Sequence, residues 1–464
     1  MSETFRIVSP VDGSVYAERP VVGPADAVAA VERAFAAWQT WRRVPLAERC
    51  RILERAVDRF TAEREAIAEE LAWLMGRPIA HGGGEVRGFE ERARTMLALA
   101  PRALADIDVG EKPGFRRYIR REPVGVVLSI VPWNFPFMTA VNSVWPALAA
   151  GNTVLLKPAA QTAPTGERLA RVLAEAGLPD GVFQCLHMSH DAAAAAMRHE
   201  AVRLVCFTGS VAGGRAIQRA IGEAKGFPGT GLELGGKDPA YVRADADIRA
   251  TAAGVADGAM FNAGQSCCAV ERIYVHEAVY DEFLDALVAE VRALRLGNPL
   301  DPATTLGPMV SAQAADAVRA QVAEAIAAGA RALIDPAAFP ADTGRGPYLA
   351  PQILVNVDHR MRVMTEETFG PVAGVMRVTS DDEAIALMND SQFGLSASIW
   401  TRDLAAAERI GEQIETGTVF MNRCDYLDPA LAWTGVRLTG RGCTLSVVGY
   451  EQLTRPKSFH LKLG

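Results

Sequence analysis

The feature that most narrows the fold begins at Val124. From there short, nearly continuous apolar runs succeed one another at residues 124–131, 153–156, 182–186 and 204–207. Segments with helical spacing of apolar residues lie between and after them, at 165–176, 191–198 and 215–224. A strand that is apolar on both faces must be covered on both, and the intervening helices supply the cover. The pattern predicts a doubly wound α/β domain with a parallel sheet, whose ligands sit beyond the C-terminal ends of its strands. A second α/β set follows Gly235-Gly236, with helices expected at 248–261, 280–294 and 311–328 and strands at 273–275 and 372–378. The Ala-rich 311–332 stretch keeps Val318, Val322 and Ile326 in a helical stripe, so it reads as helix and not linker. The first hundred residues read as helical at 25–38 and 46–74 after an extended start at 5–8.

A chain of 464 residues exceeds one ordinary core, so two or three domains are expected. A formal charge of −7 argues against nucleic acid or an acidic membrane as partner. No apolar run reaches the roughly 18 residues of a membrane span, and residues 1–6 do not read as a secretory leader. Seven cysteines, an odd count scattered through the chain, suit free thiols in a reducing cytoplasm. Neither Cys-x-x-Cys nor His-x-x-x-His occurs, so no metal site is expected. Residues 106–121 carry Gly110, Pro113 and Gly114 and then Arg116, Arg117, Arg120 and Arg121. Given the acidic chain, this short basic patch reads as a solvated or assembly hairpin and not as a nucleic-acid contact.

Chemistry concentrates at Phe261-Asn262-Ala263-Gly264-Gln265-Ser266-Cys267-Cys268, where a thiol pair stands at a helix-to-strand junction. A cysteine there is either core filling or a reactive group. Two phosphate-loop patterns fail. Gly231 to Lys237 has Walker A spacing, but Asp238 stands where Ser or Thr must hold Mg²⁺. Gly229-Thr230-Gly231 lacks the third glycine of a Rossmann fingerprint, because position 234 is Leu. Phe207-Thr208-Gly209-Ser210, with Gly213 and Gly214, follows a strand and opens a helix, which suits a pyrophosphate.

Six motifs occur in one order: Pro132-Trp133-Asn134-Phe135-Pro136, Lys157-Pro158, Phe207-Thr208-Gly209-Ser210, Leu232-Glu233-Leu234-Gly235-Gly236-Lys237, Asn262 to Cys267, and Glu366-Glu367-Thr368-Phe369-Gly370-Pro371. Together they resemble the aldehyde dehydrogenase superfamily over nearly the whole chain. Asn134 and Glu233 stand 99 residues apart and Glu233 and Cys267 34, as expected of that family. The resemblance implies that Cys267 is the nucleophile, with Cys268 a neighbour that is usually non-catalytic. It implies an oxyanion held by the Asn134 amide and the Cys267 backbone N–H, and Glu233 as the base that activates water. For NAD or NADP it places Lys157 at the adenosine ribose, Gly209 and Ser210 at the pyrophosphate and Trp133 beside the dinucleotide. Glu367 would hold the nicotinamide ribose, with Phe369 against the ring. No histidine falls in these motifs, so a Cys-His hydrolase is not expected.

Three departures qualify the resemblance. Many NAD-preferring members carry Glu where this chain has Ala160, so a 2′-phosphate is not repelled and use of both cofactors is expected. The C-terminal family pattern is altered to Leu431 to Gly440. Asn142 stands where succinate-semialdehyde enzymes commonly place an arginine, which counts against that substrate. Phe135, Met138, Tyr426 and Trp433 are expected, with Asn142, to line the substrate tunnel, unless they are simply core. By resemblance the cofactor domain comprises 1–104 and 124–235 and the catalytic domain 236–440. A β oligomerisation arm of 105–123 and 441–464 would build a homodimer or homotetramer. The reading is a cytoplasmic, NAD(P)-dependent aldehyde dehydrogenase. Its rivals are a CoA-acylating semialdehyde dehydrogenase, which needs no water-activating Glu233, and a non-catalytic dinucleotide-binding homologue.

Overall fold

The computed structural model describes residues 3–464. Its first sheet runs, in spatial order, Phe183–Cys185, Thr153–Lys157, Val126–Ile130, Val202–Thr208, Gly229–Glu233 and Gly440–Arg441. All neighbours are parallel except the last pair. Val126, Val127 and Leu128 and the whole of Thr153 to Leu156 are buried, as strands covered on both faces must be. The chain winds outward from Val126–Ile130 in one direction and then returns to Val202–Thr208 on its other side. That reversal opens a crevice at the carboxyl ends of those two strands.

The second sheet runs Arg331–Ala332, Gln352–Val355, Val372–Val378, Val270–His276, Asp238–Val242, Ser396–Trp400 and Thr418–Met421, antiparallel only at Arg331–Ala332. Leu234 to Lys237 alone separate the end of Gly229–Glu233 from the start of Asp238–Val242. This four-residue link sets the C-terminal edge of the first sheet against the N-terminal edge of the second. The functional residues come from both edges.

Aromatic side chains knit the N-terminal helices to helix Pro136–Ala150, which lies between two strands of the first sheet in sequence. Phe60 packs on Phe89 and Phe137 at centroid distances of 4.0 and 4.9 Å, and Phe89 meets Trp145 edge-on at 4.8 Å. All four are fully buried, each burial being worth about 1.5–3 kcal/mol.

The structure corrects some expected elements. The helix expected over 46–74 is two, Leu46–Thr61 and Arg64–Met75. Glu63 at the break is gripped by Arg171 at 2.6 Å and also pairs with Arg168, ties that hold it outside either helix. The helix expected from 215 starts at Val211, because Ser210 caps it with a 3.1 Å bond from the Gly213 N–H. The segment 441–464 is not arm throughout. Only Thr454–Lys462 pairs with Phe115–Pro123, in an antiparallel ribbon. Leu445, Tyr450 and Leu453 are buried in the first core, and the Tyr450 hydroxyl donates to Met96 O at 2.7 Å. Apolar contact with the first core therefore claims the segment that precedes the final strand.

Candidate active site

Cys267 follows a backbone twist that few sequences can make. Asn262, Ala263 and Gly264 all have positive φ, at 54°, 56° and 67°. A Cβ on Gly264 would lie 2.1 Å from Gly370 O, and one on Gly236 would lie 2.2 Å from Cys267 O. These two glycines allow three loops to meet: the thiol loop, the link between the sheets and the Glu366–Pro371 segment. Within the thiol loop Asn262, Gln265, Ser266 and Cys268 are buried while Cys267 is half-buried, so Cys267 is the thiol a ligand can reach. Cys268 Sγ donates to Asp425 Oδ1 at 2.9 Å, and Ser266 Oγ to the same oxygen at 3.0 Å. Hydrogen bonding with Cys267, and then burial, holds Cys268 well above the usual thiol value. Burial likewise pushes Cys206 up to about 12 and Cys443 to about 11. All seven cysteines are free.

Asn134 lies just beyond the Val126–Ile130 strand, where a parallel sheet presents site residues. One hydrogen of its amide goes to Gln265 O at 3.1 Å, and the second is left for another acceptor. Arg77 locks this turn. Its Nη2 donates to Asn134 O, its Nε to Asn262 Oδ1 at 3.2 Å, and its Nη1 pairs with Glu85. Glu85 in turn accepts from the N–H groups of Phe137 and Met138 at 2.9 and 3.0 Å.

Glu233 ends its strand half-buried, facing both cavities. Thr444 Oγ1 donates to its Oε1 at 2.5 Å and Thr208 Oγ1 to its Oε2 at 3.1 Å. Burial raises its pKa, and the two threonine bonds pull the other way by favouring the carboxylate.

Two cavities meet at these groups. One, of about 230 Å³, is lined by Trp133, Asn134, Gly209, Ser210, Glu233, Cys267, Glu367 and Phe369. The other, of about 330 Å³, is lined by Phe135, Met138, Asn142, Glu233, Cys267, Tyr426 and Trp433 among others. All five expected tunnel residues thus share one cavity, and five of the six expected cofactor residues share the other. Cys267 and Glu233 belong to both.

Lys157 is the exception. It ends the Thr153–Lys157 strand, half-buried, and is not part of the smaller cavity. Burial lowers its pKa.

The smaller cavity suits a dinucleotide. It lies at the crevice between diverging strands and at the N-terminus of helix Val211–Gly222. With Gly213 N–H taken by Ser210, the N–H groups of Val211 and Ala212 have no intrahelical acceptor, and such groups receive phosphate. Glu367 Oε1 accepts from Gly236 N–H at 3.0 Å, and burial followed by the nearby Glu271 charge raises its pKa to about 7. Phe369, in the left-handed region at φ 51°, meets Trp133 edge-on at 5.7 Å.

Sequence reasoning missed the groups that hold this loop in place. Lys237 is buried and ion-paired to Glu271 at 2.5 Å, and it donates to Thr368 Oγ1 at 2.9 Å. Glu271 also accepts from the N–H groups of Thr368 and Phe369. Arg92 and Asp257 in the larger cavity were missed as well. The helix Ile79–Ala103 held the signal, since Glu85 and Arg92 occupy positions on the stripe that buries Val86, Phe89, Ala93 and Met96.

This architecture is known in solved proteins. An NAD-dependent aldehyde dehydrogenase from Sinorhizobium meliloti matches with a TM-score of 0.95 at 34% identity, over 100% of this chain and 92% of that one. The fold is therefore that of the aldehyde dehydrogenases. The aldehyde dehydrogenase family model matches residues 1–459, and the chain belongs to that family. Among curated relatives, a Mycobacterium ulcerans protein named as an NADP(+) succinate-semialdehyde dehydrogenase is 37% identical over 437 residues, 93% of each chain. A Mycobacterium avium protein of the same activity by name is 34% identical over 454 residues, 97% of this chain and 95% of that one. Among the described residues no helix is long and apolar enough to cross a membrane.

Proposed function

We propose that this chain oxidises an aldehyde to the carboxylic acid with NAD or NADP, through a covalent adduct on Cys267. The observation that carries the reading is the position of Cys267 and Glu233 at the junction of the two cavities. A thiol that faces both can hold the substrate carbon between tunnel and cofactor cleft. Attack by the Cys267 thiolate on the carbonyl carbon gives a thiohemiacetal. The resulting oxyanion is met by the free hydrogen of the Asn134 amide and the Cys267 backbone N–H. A nicotinamide bound against Phe369 and Trp133 would accept the hydride with its electron pair. Cys267 then carries a thioester, and Glu233 takes a proton from the water that hydrolyses it.

The same reading divides the chain into a cofactor unit of 1–104 and 124–235 and a catalytic unit of 236–440. In the ribbon of Phe115–Pro123 and Thr454–Lys462 the second strand is largely exposed and the first mostly half-buried, which supports its use as an arm in a homodimer or homotetramer. Seven free cysteines support a reducing, cytoplasmic setting. Ala160, exposed after the Lys157 strand, supports use of both cofactors. The two kinds of relative differ on this point, since one is named for NADP and the other for NAD.

The test is an aldehyde panel with each cofactor, with wild type beside Cys267→Ala and each run with and without CoA. Turnover that needs Cys267 and is independent of CoA is expected, with the two cofactors within a hundredfold in kcat/KM. Product formed only with CoA would replace this reading with the acylating one. Dinucleotide binding without any turnover would replace it with the non-catalytic homologue.

A further inference from the structure

Arg92 is the outlier among the buried cations. Four arginines are buried: Arg49, Arg77, Arg92 and Arg272. Arg77 and Arg272 spend all three guanidinium nitrogens on protein acceptors, and Arg49 spends two. Arg92, 7% exposed, spends only Nη1, on Met138 O at 2.8 Å and Asn142 Oδ1 at 3.4 Å. Nε and Nη2 bond to nothing among the described residues, and the side chain lines the larger cavity. An enclosed guanidinium with no paired carboxylate is costly, and the cost is recovered when an anion occupies its free edge.

We propose that Arg92 is the anchor for an anionic group at the far end of the aldehyde, so that the substrate is a short ω-carboxy aldehyde. This rests on the aldehyde-oxidising reading and names the substrate class of that site. The Nε–Nη2 edge is the planar fork that takes a carboxylate in two parallel bonds. The acids of the cavity do not occupy that role. Glu85 is paired to Arg77, and Glu233 is held by Thr208 and Thr444. Asp425 Oδ1 is taken by Ser266 and Cys268, and Glu91 accepts from the Tyr426 hydroxyl at 2.7 Å. Asp257 and Asp425 are each pushed up by burial, away from the ionised form a guanidinium partner needs.

Length follows from the helix Pro136–Ala150, which starts just after Asn134. Met138 and Asn142, the partners of Arg92, lie roughly 3 to 9 Å along it at 1.5 Å per residue, which fits a carbonyl and a carboxylate about two to seven bonds apart. The position also resolves the objection raised by Asn142. That residue does not carry the cation itself; it accepts a hydrogen bond from a cation delivered by another helix.

The experiment compares four- and five-carbon aldehydes that end in a carboxylate with butanal and pentanal. The readout is the ratio of kcat/KM, carboxylated over uncharged. Wild type is expected to favour the carboxylated aldehyde at least about tenfold, Arg92→Gln to lower the ratio at least about thirtyfold, and Arg92→Lys to restore part of it. Asn142→Asp, which sets a fixed anion against Nη1, should lower the ratio too and serves if Arg92→Gln does not fold. A ratio unchanged in these variants, or a wild-type preference for the uncharged aldehyde, overturns the proposal. A second measurement needs no turnover: calorimetric titration of the four-carbon dicarboxylate into wild type and Arg92→Gln. Binding that depends on Arg92 in an enzyme that oxidises no aldehyde would keep the anion subsite and sink the oxidation reading. Binding that ignores Arg92 sinks the subsite.

Discussion

Replacing Thr444 by valine isolates the electrostatics of Glu233. The Thr444 hydroxyl donates to Glu233 Oε1 at 2.5 Å, and only Thr208, at 3.1 Å, supports the other oxygen. Both bonds favour the ionised carboxylate against the burial that raises its pKa. A hydrogen bond to a charged group is worth about 1.5–3 kcal/mol, and about 1.4 kcal/mol moves a pKa by one unit. Losing the Thr444 bond should therefore raise the Glu233 pKa by about one to two units. The sign for catalysis is definite. A base works when deprotonated, so a raised pKa moves the acid limb of the kcat profile to higher pH and spares the alkaline plateau. The assay is kcat against pH, with a stopped-flow record of reduced nicotinamide on the acid side. There the variant should show a burst of about one equivalent per active site before slow turnover, because hydrolysis of the thioester fails while hydride transfer proceeds. An acid limb that stays in place, or a plateau that falls without any shift of the limb, would refute the assignment of Glu233 as the base tuned by Thr444.

Two further perturbations probe the framework. Glu85→Ala leaves Arg77 buried and unpaired and strips the Phe137 and Met138 N–H groups of their acceptor. It should cost about 3–5 kcal/mol, read as a lower urea midpoint, and an unmoved midpoint would contradict the burial argument. Gly236→Ala puts a Cβ 2.2 Å from Cys267 O and must displace the thiol loop. A roughly hundredfold loss in kcat with a native-like far-UV spectrum is expected, because a shift of about 1 Å at the reacting group costs that much. Full activity in that variant would mean that the two loops move independently.

What the sequence disclosed and what it hid divide along a physical line. Parallel strands are apolar on both faces, so Val126–Ile130 and Val372–Val378 announced themselves. The site motifs were legible because tight backbone approaches leave glycines in fixed places, such as Gly236 against Cys267 and Gly264 against Gly370. Arg77, Arg92 and Thr444 left no such trace. Thr444 reaches Glu233 across 211 residues and Arg77 reaches Asn262 across 185, and no local period encodes contacts of that kind. The strand-end rule also explains only half of the site. It accounts for Asn134, Ser210 and Glu233 at the carboxyl edge of the first sheet, whereas Cys267 and Glu367 precede strands of the second. The Leu234–Lys237 link brings the two edges together, and the joint so formed has walls that neither sheet supplies. Helix Ile79–Ala103 closes one of them, so its buried Arg92 and Glu85 face the site even though they belong to no motif. A charged residue on the buried stripe of a helix that packs beside such a joint is therefore a candidate for specificity, and the stripe itself is readable from sequence.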